Sequence, residues 1–234
     1  MALDVNGWID GITATGVVLF GIIFGIFFFY KSRKKNAKLL SYLALANLLA
    51  GLMFLGVFLD FLMVLITGGN IENNGIVAIL SYIWFAPVII TAMYIAAELL
   101  TPNIKKYILL VTVIVSVIFE TIIFINPLGS FNFEPQPPTP PPINLIDYNV
   151  NLLTLAGMLM GALLVAVLLF LGFGFLFKAL QSSGIIRRNF LFLSIGSICF
   201  CIFGMLEGLT APGILGIFVR LGYVSSFIFM YYGL

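Results

Sequence analysis

Apolar residues run along this chain in continuous stretches of about 20, divided by short polar segments, and stretches of that length can cross the hydrocarbon core of a bilayer as helices. Seven spans are predicted: Gly11–Tyr30, Leu39–Ile66, Gly75–Leu100, Lys106–Ile125, Asn149–Phe177, Phe190–Leu209 and Ile214–Leu234. The runs are rich in Leu, Ile, Phe and Val and lack the alternation of membrane-barrel strands, so backbone groups in lipid must pair within helices. The expectation is an all-α membrane protein, a single seven-transmembrane-helix bundle covering residues 1–234. Its longest connection, 126–148, holds Pro135, Pro137, Pro138, Pro140, Pro141 and Pro142. Prolines lack amide donors, so this segment reads as an extended strut in water or a lid across the bundle mouth, with Phe131 and Phe133 anchoring it to the membrane surface.

Composition supports lipid as the solvent: 62% of the residues are hydrophobic and 9% charged, with mean hydropathy +1.19, whereas a soluble domain is about one-quarter charged. The charges also alternate from one connection to the next. Ten of the eleven cations lie in one set of connections: Lys31, Arg33, Lys34, Lys35 and Lys38, then Lys105 and Lys106, then Lys178, Arg187 and Arg188. The other set carries only Asp4, Asp10, Glu72, Glu134 and Asp147. The positive-inside rule then places the N-terminus outside and the C-terminus inside. With no Asn-x-Ser/Thr sequon and no lipidation signal, a prokaryotic cytoplasmic membrane is favoured, with the bilayer as the first partner and no nucleic acid.

Several chemistries fall away. No histidine is present, which removes His-ligated zinc, bis-His haem and His-activated nucleophiles. Cys199 and Cys201 stand two apart on one helix, cannot pair there, and read as small packing residues. The last span has Arg220 and no Lys for a retinal Schiff base, and Asp60 is the sole aspartate within the predicted core, so paired-aspartate proteolysis is unsupported. No metal, cofactor or catalytic residue is expected.

Ionisable groups at membrane depth are costly unless paired or hydrated, so each is a candidate for function. Asp60, Glu120, Glu207 and Arg220 each lie roughly 8 to 12 Å below the outer surface, counted at about 1.5 Å per helical residue. They read as a buried charge cluster or ligand-binding group lining an outer cavity, with Asp60 and Glu207 as the partners of Arg220. A buried ion pair fixing helix register is the alternative. Glu98, beside Lys105 and Lys106, reads as an interfacial ion pair, and Asn47 as an interhelical hydrogen bond. Ser194, Ser197, Cys201, Gly204 and Gly208 form a narrow stripe of small residues along the sixth span. Gly21 with Gly25, Gly157 with Gly161 and Gly204 with Gly208 read as intramolecular packing pairs, and Pro87 should bend the third span.

The basic first inner loop YKSRKKNAK, the last-span run RLGYVSSFIFMYYG and the outside-to-inside layout resemble the seven-helix membrane sensor modules of prokaryotic histidine kinases and related signalling proteins. That resemblance implies a receptor-like sensor in which a small molecule or lipid in the outer cavity shifts the sixth and seventh helices, with Arg220 suited to an anionic group. The sequence ends at Leu234, where a fused output domain would begin, so the resemblance further implies a separate cytoplasmic signalling partner. A structural or accessory subunit of a membrane complex is the alternative, followed by a proton-coupled transporter using the same acids as a relay.

Overall fold

The computed structural model describes residues 3–72, 74–133, 144–210 and 213–233. The proline-rich strut expected over Pro135–Pro142, with Glu134, lies outside the described residues.

Helix α1 (Val5–Lys35) begins where Asp4 caps it, its carboxylate accepting from the Gly7 amide at 2.6 Å. It ends at Asn36, which takes the left-handed conformation with φ 51°, and its last turn carries Arg33, Lys34 and Lys35 beside the carbonyl end of the helix dipole. The helix thus starts six residues ahead of the apolar run and draws Asp10 into the bundle. This corrects the expectation that Asp10 belongs to a connecting segment.

The second predicted span is two helices, α2 (Lys38–Leu52) and α3 (Leu55–Thr67), bent by 43°. At the bend the Met53 and Phe54 amides reach back only three residues, to Ala50 and Gly51, and the Gly56 amide is left for Ser81 Oγ, which accepts it at 3.0 Å. The third span is also interrupted, into α4 (Ile76–Tyr82) and α5 (Phe85–Leu100). Pro87 has no amide for the carbonyl four residues earlier and its ring crowds that carbonyl, so the break falls at Ile83 and Trp84, one turn before the proline.

Helix α6 (Lys105–Ile125) leads into the short α7 (Pro127–Ser130) and strand β1 (Phe131–Phe133). Strand β2 (Tyr148–Val150) pairs antiparallel with β1, Phe131 opposite Val150 and Phe133 opposite Tyr148. Phe131 is buried, its ring 4.9 Å from Tyr82 and 5.9 Å from Tyr148, and so packs inward instead of anchoring to the membrane surface.

The fifth span runs through α8 (Leu155–Val167), a π-helical turn at Leu168–Phe173 and α9 (Gly174–Leu180). The wider π turn loosens the i to i+4 ladder, and Ser194 of the next helix donates to the Gly172 carbonyl at 2.8 Å. Helices α10 (Gly184–Glu207) and α11 (Ile214–Tyr232) close the bundle. Ser194, Ser197 and Cys201 of the small-residue stripe are buried against the interior, while the closest approaches of α10 to α11 are made at Gly196, Gly222 and Gly233.

Among the described residues six helices are long and apolar enough to cross a membrane, and the α2–α3 pair makes a seventh when taken as one bent span. The chain is a polytopic membrane protein with an all-α bundle. One end carries Asp4, Glu72 and Asp147 and is called the acidic end below; the other carries the Lys and Arg clusters and is called the basic end.

Candidate functional site

Between the helices at the acidic end lies a cavity of about 70 Å³. Its walls come from α1, the α2–α3 bend, the α4–α5 break, β2, α8, α10 and α11, so both helix interruptions border it. The bend turns Phe54 and Val57 toward the cavity, the break turns Tyr82 and Phe85 toward it, and β2 with the residues before it covers one side with Ile146, Asp147 and Tyr148. Burial pushes the Tyr148 phenol well above its ordinary value and keeps it neutral.

One rim is charged. Arg220 of α11, its side chain only 8% exposed, reaches two helices at once. On α1, Nη1 lies 2.6 Å from Asp10 Oδ1 and donates to the Asp10 carbonyl at 2.8 Å and to Thr13 Oγ1 at 2.7 Å. On α10, Nε donates to Glu207 Oε1 at 2.8 Å, and Nη2 approaches the same oxygen at 2.8 Å. The guanidinium also sits over the Phe54 ring, 5.3 Å from its centroid. The other Glu207 oxygen, Oε2, is buried and makes no hydrogen bond among the described residues. Arg220 ties α1 to α10, and its donor fork is largely consumed by carboxylates and carbonyls of the chain itself.

Of the residues singled out from sequence, Glu207 and Arg220 come together on this rim. Asp60 does not join them. It is completely buried on α3, where Oδ1 accepts the Ile71 amide at 2.8 Å and Oδ2 accepts the Ile146 amide at 2.9 Å and Asn70 Nδ2 at 3.0 Å. Asp60 therefore staples two acidic-end loops together, and Ile146 carries that staple into the cavity wall. Glu120 also stands apart, half-buried on α6 against the Ala86 amide at the α4–α5 break, with Oε1 unpartnered among the described residues. The pairing of Arg220 with Asp60 expected from sequence is replaced by pairing with Asp10. Six added helical residues explain the exchange: the Asp4 cap starts α1 at Val5, so Asp10 belongs to the helix and meets Arg220.

Sequence reasoning did not assign Asp10, Tyr82, Tyr148 or Tyr223 to the site. An Asp three residues before Gly7 is a usable helix-start signal and could have recovered Asp10. The tyrosines had no such mark. Tyr223, whose hydroxyl donates to the Ala50 carbonyl at 3.2 Å, forms the cavity floor with Phe200.

The other polar groups are structural in their contacts. Lys105 Nζ lies 2.5 Å from Glu98 Oε2 and 5.0 Å from the Tyr94 ring centroid at the basic end. Asn47 donates to the Leu43 carbonyl of its own helix at 2.8 Å and reaches α11 only through Met230 Sδ at 3.7 Å. No protein-family model, no curated protein and no solved structure matches the chain.

Proposed function

We propose that the protein is a receptor-like membrane sensor that holds a small molecule or lipid in the acidic-end cavity and signals through α10 and α11, with that end facing outward. The supporting observation is the composition of the cavity wall: one occupant would touch Gly204 and Glu207 of α10, Gly216, Arg220 and Tyr223 of α11, and the bent α2–α3 and α4–α5 pairs together. Such an occupant can favour one packing of these elements over another, as a ligand-driven shift requires. The likeness to the sensor modules of prokaryotic histidine kinases, a bacterial-type cytoplasmic membrane and a cytoplasmic partner belong to the same proposal. So does a role in binding without catalysis, which rests on the missing histidine and the engagement of Arg220 with the chain's own acids.

A carrier is the second reading, and one observation favours it. A smaller apolar cavity of about 20 Å³, bordered by Asn47, Ala92 and Phe227, shares Val88 and Phe200 with the larger one, so two voids are stacked toward the basic end. The test begins with protein purified in nanodiscs and analysed by native mass spectrometry. A sensor should retain a stoichiometric small molecule or lipid, and Gly204→Phe, whose side chain would enter the cavity, should displace it. Absence of any bound species, together with no binding by the probes described below, removes the proposal. Uptake of a bound compound into proteoliposomes above protein-free controls would move the reading to a carrier.

A further inference from the structure

We infer that the cavity selects an organic cation, an ammonium head on an aromatic or aliphatic body, and disfavours an anion. The inference rests on the binding role proposed above and adds the chemical class of the ligand. Sequence alone suggests the opposite sign, because Arg220 is the one cation among the four ionisable residues expected to line the outer cavity. The geometry reverses that expectation.

Arg220 already has Asp10 against Nη1 and Glu207 Oε1 against Nε and Nη2, both within 2.8 Å. An anionic ligand would have to displace one of these carboxylates and bring a further negative charge beside it. Two acids face one guanidinium here, and the oxygen not consumed by the pairing is Glu207 Oε2. It is a buried acceptor without a donor among the described residues, on a side chain that lines the cavity. An ammonium N–H supplies that donor in a charge-assisted bond, and a buried acceptor left unmatched is the costly alternative.

The remaining wall fits the rest of such a molecule. Tyr82, Phe85, Phe200 and Tyr223 line it with aromatic rings, the residue type whose faces attract a desolvated cation and pack an apolar body, while Met160 and Leu164 of α8 complete the apolar side. Polar charge-bearing rim and apolar floor together match an amphiphilic amine more closely than a sugar, a nucleotide or a fatty acid.

The experiment compares three probes with one skeleton, 4-phenylbutylamine, 4-phenylbutanol and 4-phenylbutyrate, titrated into the full chain in neutral-lipid nanodiscs by calorimetry, with empty nanodiscs subtracted. The amine should bind at least about tenfold more tightly than the alcohol, and the acid more weakly than either. In Glu207→Gln the preference of amine over alcohol should shrink to about twofold or less. The head-group ranking is read on the unaltered chain, so it stands if the variant does not fold. Equal binding of amine and alcohol, or tightest binding by the acid, overturns the cationic assignment while leaving an occupied cavity in place. No saturable binding of any probe above empty nanodiscs, with no species retained on purification, counts against the binding role itself.

Discussion

At the scale of single residues, charges inside this bundle act through how completely each is matched. Asp60 has three donors for its two oxygens and contributes to the join between two loops, whereas Glu207, which lines the cavity, has one satisfied oxygen and one without a partner among the described residues. The difference could not be read from depth. Counting residues from the helix ends puts Asp60, Glu120, Glu207 and Arg220 at one level, but rotation about each helix and the backbone course of the loops decide which of them meet. Asp60→Asn places an amide where two backbone N–H groups and Asn70 Nδ2 need acceptors, and the new NH₂ opposes one of them. The variant should lose about 2 kcal/mol of stability. Because Ile146 leaves the staple, it should also expose the 144–147 segment to protease. A melting curve in detergent with limited proteolysis checks both; unchanged values would mean that the loops are held by packing alone.

Helices here are shaped by interruptions as much as by their apolar faces, and this is where sequence and structure part most. Pro87 announces its break in the sequence because it lacks an amide, and the break falls one turn ahead of it for the same reason. No comparable mark exists for the α2–α3 bend or the π turn. The glycines show how far a pattern carries: Gly21 and Gly25 do pack closely against another helix of the chain, α2, at Gly51 and Leu48, as their spacing suggests. Gly161 has open space around it, and Gly56, in no sequence pair, is where α3 comes closest to α4. A Cβ built at Gly56 would lie 1.9 Å from the Val77 carbonyl oxygen, whereas one at Gly16 would meet nothing within 4 Å. Gly56→Ala should therefore destabilise by about 3 kcal/mol or more as the bend is forced apart. Gly16→Ala should stabilise by about 0.5–1 kcal/mol, through helix propensity alone. Thermal unfolding of the two variants in one detergent gives the comparison, and similar melting temperatures would show that the bend adjusts freely.

Over the whole molecule, the cavity and the charge asymmetry lie along one axis, so the proposed ligand site is tied to one side of the membrane. The cavity opens among residues of the acidic end, Asp147, Asn149 and Thr210, while the Lys and Arg clusters at Lys31–Lys38, Lys105, Lys106, Lys178, Arg187 and Arg188 mark the other. Positive charge near span ends is retained on the cytoplasmic side during insertion, so the mouth should face outward. Exposed sites at the two ends provide a direct reading: Glu72 in the α3–α4 connection and Asn103 just before α6 are both accessible and outside the helices. With Glu72→Cys and Asn103→Cys made separately, a membrane-impermeant maleimide applied to intact cells should label the first and leave the second until the membrane is permeabilised. The native thiols are a smaller concern than they would be in a loop, since Cys201 is buried and Cys199 half-buried within α10. The reverse pattern would turn the cavity toward the cytoplasm. An outward sensor would then be untenable, and a site that samples cytoplasmic compounds, or loads them for export, would follow from the same geometry.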